Sequence, residues 1–209
     1  MKVEQYRDVL LVVDVQNDFC PGGRLPVPYG YEVVPTINWL SKKFDNVILT
    51  QDWHPEGHIS FASTHDMQPF DKIGDLSLAG DGQVYWPDHC VRGTKGADFH
   101  PSLDIPHAQL ILRKGWRKNL DSYSAFSEND RFTSTGLAGY AQARGFNRFF
   151  IAGLSFDFCV KYTAFDARRL SKDVFVIEEA CRAIGDPRKT KSELEDRRIG
   201  LIKSADFII

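Results

Sequence analysis

Cys159 comes at the end of Gly153-Leu154-Ser155-Phe156-Asp157-Phe158-Cys159, where an apolar run gives way to a helical pattern. A cysteine in the first turn of a helix lies among free N–H groups at the positive end of the dipole, which favours the thiolate. A lysine nearby lowers the thiol pKa further, and a carboxylate nearby can take its proton. Lys114 and Asp14 carry those groups, each at the end of an apolar strand-like run. Taken singly, Asp14 reads equally well as a turn cap and Lys114 as a solvated strand end. A second constellation starts at Asp52-Trp53-His54. Residues two apart on an extended segment project to the same side. Asp52 and His54, joined by His58 or His89 from further along, would make a half-open site of the kind a catalytic metal needs. The plainer alternative is a hydrogen-bonded surface pair. Phe19, Trp86 and Tyr123 sit in loops beside these groups and offer walls for a flat aromatic substrate. His65, His100 and His107 read as structural or surface groups, and Cys20, Cys90 and Cys181 as buried free thiols.

The elements that must position these residues alternate between strand and helix. Buried apolar runs at 8–14, 46–50, 109–113, 148–152 and 174–177 read as strands, with a short edge strand at 206–209. Helical spacing marks 31–44, 134–144 (closed by Gly145), 158–170 and 192–203. This order predicts a single-domain α/β fold over 1–209, with a mostly parallel sheet and helices on both faces. Asp14, Asp52, Lys114 and Cys159 each follow a different strand, at the sheet edge where open α/β sheets hold their ligands. The stretch 51–106 is rich in Gly, Pro, His and Asp with little regular pattern, and loops of that length are usually functional.

Composition narrows the function classes. The 209 residues carry a net charge of -2, with 43% hydrophobic and 26% charged side chains. That balance argues against nucleic acid and against a basic membrane patch. No apolar run approaches the roughly 20 residues of a membrane span, and the N-terminus lacks the apolar region of a signal peptide. The expectation is a cytoplasmic protein with free thiols. Whether it forms a homo-oligomer is not legible.

The motifs resemble those of the nicotinamidases, within the isochorismatase-like cysteine hydrolase superfamily. The resemblance rests on Asp14 to Gly23, on Thr50-Gln51-Asp52-Trp53-His54-Pro55 and on Gly57-His58-Ile59-Ser60-Phe61-Ala62. Trp86-Pro87-Asp88-His89-Cys90-Val91, Lys114-Gly115, Asp121 to Phe126 and Asp157 to Lys161 complete it in the same order. It implies a six-stranded sheet and a triad of Asp14, Lys114 and Cys159. It also implies one divalent metal ion (zinc, iron or manganese) on Asp52, His54 and His89, with His58 and a water held by Ser60 as variable participants. A cis peptide at Leu154-Ser155 would shape an oxyanion hole built from the N–H groups of Ser155 and Cys159. Phe19, Trp86, Tyr123 and Leu154 would contact the substrate nicotinamide. Phe156 stands where that family commonly has threonine, which puts the nearby wall in question. An N-carbamoyl amide hydrolase would keep the triad without the Asp-x-His motif. An isochorismate hydrolase would lack the cysteine, and a non-catalytic sensor would not need the whole triad.

Overall fold

The computed structural model describes residues 1–73, 83–171 and 173–207. Among them the strands are β1 (Asp8–Val13), β2 (Val47–Asp52), the two-residue β3 (Lys72–Ile73) and β4 (Gln83–Val84), β5 (Leu110–Lys114), β6 (Arg148–Leu154), β7 (Asp173–Arg182) and β8 (Gly200–Ile202). The helices are α1 (Val33–Ser41), α2 (Leu137–Arg144), α3 (Lys161–Leu170) and α4 (Pro187–Asp196). Six strands form one sheet in the order β5-β2-β1-β6-β7-β8, and every ladder in it is parallel. β1 and β2 are buried along their whole length, as continuous apolar runs covered on both faces require. The edge strand β5 differs: Ile111 and Arg113 face solvent, while Lys114 at its end is buried.

Right-handed crossovers fix where the helices lie. The connection through α1 runs from β1 towards one edge, whereas those through α2, α3 and α4 run towards the other. They therefore cover opposite faces; α1 and α3 both pack against β6 and β7. The direction reverses between β1 and β6, which is where such sheets open a crevice beyond their carboxyl ends. At that point the backbones nearly touch. A Cβ on Gly153, whose φ is +122°, would lie 2.0 Å from the Val13 carbonyl oxygen, so only glycine fits.

Three elements depart from the sequence reading. The last helix begins not at 192 but at Pro187, with the Asp186 side chain accepting the Arg188 N–H as its cap. Asp followed by Pro is a strong helix start. The apolar residues after the helix then pair with β7 as β8, supplying the sixth strand that the sequence pattern put at 206–209. There, Asp206 belongs to a 3-10 turn and Phe207 packs its ring against Phe44 and Phe150, while 208–209 lie outside the described residues. The helix expected at 158 is entered through a π-helical turn, Phe156–Val160, before α3. The long stretch after β2 has no α-helix among its described residues. Isolated bridges such as His54 to Val91 and Phe61 to Trp86 satisfy its backbone instead.

Candidate active site

Asp14 follows β1 with a left-handed φ of 48°, a conformation that non-glycine residues adopt rarely and aspartate more readily than most. Its Oδ1 accepts from Thr50 Oγ1 at 2.6 Å and its Oδ2 lies 2.8 Å from Lys114 Nζ. Lys114 also donates to Asp52 Oδ1 at 2.7 Å, to the Ser122 carbonyl at 2.9 Å and to Cys159 Sγ at 3.3 Å. All four charged or reactive groups are buried. Burial opposes the Lys114 charge, yet Asp14 and Asp52 raise its pKa well above the usual lysine range. Burial raises the Asp14 pKa, with Lys114 opposing. It also pushes the Cys159 thiol well above its ordinary value, against Lys114 and with Asp14 reinforcing the rise. Two carboxylates and one ammonium thus share the pocket with the thiol, so the helix start is one of several fields that act on Cys159.

Asp52 lies at the end of β2, where the Gln16 side chain bridges β1 to β2 by donating to the Asp52 carbonyl and accepting the Asp52 N–H, both at 2.8 Å. Burial acts against the Asp52 charge, but Lys114 and then His54 hold its carboxyl well below the usual range. Asp52 Oδ2 faces His54 Nε2 at 3.4 Å and His89 Nε2 at 3.8 Å. Each imidazole has its other nitrogen against a backbone carbonyl, His54 Nδ1 on Gly115 and His89 Nδ1 on Pro87, both at 2.8 Å. Those carbonyls fix Nδ1 as the protonated nitrogen and turn the Nε2 lone pairs inward, as metal-ligating histidines are usually held. One carboxylate oxygen and two imidazole nitrogens, all within 4.8 Å of one another, fit a divalent metal ion. Gly115 is indispensable to that arrangement. Its φ is +64°, and a Cβ there would sit 2.4 Å from His54 Cε1. Asp18 steadies the opposite wall by accepting the Cys90 N–H at 2.7 Å, next to His89.

His58 and Ser60 are placed differently. His58 Nδ1 meets Ser60 Oγ at 2.7 Å and its Nε2 meets the Leu120 carbonyl at 3.3 Å, so both nitrogens are occupied within the protein. The ring packs against that of His54, with centroids 4.2 Å apart and planes tilted by 32°.

The pocket beside Cys159 is walled by Phe19, Leu25, Trp86, Tyr123, Phe158 and Ile184, with Asp52, His54, His89, Asp121 and Ser155 as its polar lining. Trp86 Nε1 donates to Tyr123 Oη at 3.2 Å, and Phe158 meets both rings edge-on. Phe19, Trp86, Tyr123 and Ser155 therefore stand where the sequence put them. Leu154 does not line this pocket; it is fully buried behind it, beside Gly30. Phe156 does not line it either and opens onto a separate cavity with Tyr29 and Cys181. The peptide Leu154-Ser155 is cis. Sequence reading assigned no role to Asp121, Leu25, Phe158 or Ile184. Ile184 reaches the pocket because Asp157 accepts the N–H groups of Ile184 and Gly185 at 3.1 and 2.8 Å, a link across 27 residues that spacing does not reveal.

Fold and site together define a parallel α/β hydrolase with a buried cysteine, aspartate and lysine. Residues 8–198 match the model of the isochorismatase domain family. The nicotinamidase of Acinetobacter baylyi is 54% identical over 176 residues, covering 84% of this chain and 81% of that one. The solved structure of an Acinetobacter baumannii nicotinamidase/pyrazinamidase superposes with a TM-score of 0.92 at 46% identity, covering 98% of this chain and 99% of that one. The pyrazinamidase of Pyrococcus horikoshii, solved in complex with zinc, superposes with a TM-score of 0.78 at 32% identity over 94% and 99%. The chain belongs to the isochorismatase family, in its nicotinamidase branch.

Proposed function

We propose that this chain hydrolyses nicotinamide to nicotinate and ammonia through a cysteine thioester, accepts pyrazinamide as well, and serves NAD salvage in the cytoplasm as one domain. The observation that carries the reading is the four-way contact of Lys114 with Asp14, Asp52, Cys159 and the Ser122 carbonyl, set directly beside the Asp52, His54 and His89 cluster. The relatives named above support the substrate class, and four free thiols support a reducing compartment.

In this mechanism Asp14, made more basic by burial, takes the Cys159 proton as Sγ approaches the carboxamide carbon. The C–S bond forms and the carbonyl electrons move onto oxygen, where the backbone N–H groups of Ser155 and Cys159 stabilise them; such donors typically give the largest single contribution to rate. Collapse expels the amine, which takes the proton from Asp14 and leaves as ammonia. A water gives a proton to Asp14 and attacks the thioester; the departing sulfur recovers that proton, and the acid released loses its carboxyl proton to solvent as nicotinate. Lys114 stays protonated throughout and keeps Asp14 and Sγ in register. Asp52, His54 and His89 would hold the metal ion, zinc in keeping with the Pyrococcus relative or else iron or manganese. When bound, it supplies a Lewis-acid position for the pyridine nitrogen, which aligns the amide on Sγ.

Ammonia release from nicotinamide by the purified protein, with and without added metal, tests the reading. No release under either condition would overturn it.

A further inference from the structure

The largest change of chemistry away from the catalytic pocket occurs on the far side of Tyr123. That ring walls both the catalytic pocket and a second cavity of about 280 Å³ between the loop after β5 and the helices α3 and α4. The catalytic pocket leaves only about 20 Å³ by the same measure, so the second cavity is by far the roomier. It falls near the lower end of the roughly 300–1,000 Å³ range of small-molecule sites.

Its lining has two characters. One wall is aromatic: Tyr162 stacks on Tyr123 at 5.4 Å with an interplanar angle of 23°, and Phe165 meets Tyr162 edge-on at 5.9 Å. The rim is cationic. Arg131, Arg168, Arg169 and Arg197 line it against two carboxylates, Glu128 and Asp166. Glu128 is already paired with Arg117 at 3.1 Å and Asp166 with Arg169 at 3.4 Å. Arg197 sits over Phe165 with its guanidinium carbon 3.9 Å from the ring centroid, which preorganises it at the junction of the apolar and cationic parts. Asn129 ties the loop to the aromatic wall, its Oδ1 accepting the Tyr123 N–H at 2.9 Å.

We infer that this cavity is a second ligand site, for an organic phosphate that carries a planar ring. The ring would lie against Tyr162 and Phe165, and the phosphate would reach Arg131 and Arg197. Planar guanidinium groups suit phosphate oxygens, and aromatic faces suit a flat ring. The surplus of positive charge excludes a cationic ligand, and the volume exceeds what an inorganic anion alone would fill.

The probe is adenosine 5′-monophosphate, titrated into the full chain by calorimetry in the presence of saturating nicotinate, with inorganic phosphate titrated in parallel. The expected result is one saturable site for the nucleotide, at least tenfold tighter than for inorganic phosphate. Arg131→Glu and Arg197→Glu should each weaken it tenfold or more while leaving the melting temperature and nicotinamide turnover unchanged. Three results overturn the inference: no saturable binding at millimolar nucleotide, equal affinity for inorganic phosphate, or binding that survives both charge reversals. If a variant fails to fold, Arg131→Gln or Arg197→Gln takes its place, with weaker nucleotide binding supporting the site and unchanged binding refuting it.

Discussion

Lys114 Nζ donates to Asp52 Oδ1 at 2.7 Å, while the other oxygen of that carboxylate faces the Nε2 atoms of His54 and His89. One aspartate thus ties the lysine beside the nucleophile to the metal-binding cluster. Burial raises the Cys159 thiol, Lys114 opposes that rise and Asp52 adds to it. The two substitutions must therefore act in opposite directions on metal-free protein. Asp52→Asn should move the pH midpoint of Cys159 alkylation by iodoacetamide downward, and Lys114→Met should move it upward. Mass spectrometry of the Cys159 peptide across pH reads both. Shifts of the same sign would sink the electrostatic account.

Cys159→Ala should lower turnover by about a thousandfold or more, because members of a catalytic unit lose most of the rate singly. Cys159→Ser should be almost as poor, since a hydroxyl is far harder to ionise. Both should unfold within about 1 kcal/mol of the wild type, as the thiol is small and fills little of the core. Ammonia release and thermal melts check the pair. An alanine variant retaining a tenth of the wild-type rate would exclude the covalent route.

The parts of the fold that were legible in the sequence share a physical cause. β1, β2 and β6 are covered on both faces and so read as apolar runs, β1 and β2 leading straight into Asp14 and Asp52 and β6 into the turn that carries Cys159. Asp14, Asp52, Lys114 and Cys159 were placed correctly because strand ends in a parallel sheet share one edge. What stayed hidden depends on contacts between distant segments. β8 has only three residues, all half-buried, and its pairing with β7 is what makes it a strand. The field at the thiol was only partly legible, because helix position is local whereas the two carboxylates that share Lys114 come from the ends of β1 and β2. Leu154 is next to the site in sequence but does not line the pocket, while Ile184 is remote in sequence and does.

Metal affinity should depend on the ligands and on the backbone that aims them. His54→Ala and His89→Ala should each copurify with little metal. Gly115→Ala should lower affinity about 10–100-fold without removing a ligand, because its Cβ would meet His54 Cε1 at 2.4 Å. His65→Ala should bind metal as the wild type does, since His65 Nε2 bonds the Ile59 carbonyl away from the cluster. Elemental analysis and competition with a chromogenic chelator measure all four. Wild-type affinity in Gly115→Ala would contradict the claim that the Gly115 backbone positions His54.

His58 should make the metal-free fold acid-sensitive. Burial pulls its pKa down to about 4, with Asp121 opposing and His54 assisting. The folded pKa lies below the unfolded value of about 6.5, so the unfolded chain binds more protons between these limits. Stability from the neutral ring is complete above about pH 6.5 and is lost as pH falls towards 4, by about 3 kcal/mol in the limit. His58→Gln should flatten that slope. Urea unfolding at pH 7 and pH 5 gives the comparison, and an equally steep loss in the variant would assign the slope to other groups.

Substrate choice tests whether the Asp52, His54 and His89 cluster orients the ring. Nicotinamide and pyrazinamide both carry a ring nitrogen meta to the carboxamide carbon, and benzamide carries none. The cluster is part of the polar lining of the pocket and Cys159 lies beside it, so a ligand anchored at the cluster presents its amide to the sulfur. Without that anchor the same apolar walls still accept the ring, but the amide is free to rotate or slide. A misplacement of about 1 Å can cost roughly a hundredfold in rate. Benzamide should therefore be hydrolysed at least a hundredfold more slowly than nicotinamide, with most of the loss in kcat. Pyrazinamide should fall close to nicotinamide. Removing the metal should reduce nicotinamide turnover towards the benzamide level and leave benzamide turnover unchanged. Steady-state ammonia release for the three amides, before and after chelation, decides the matter. Equal rates for nicotinamide and benzamide in metal-free protein would show that the pocket walls alone align the substrate.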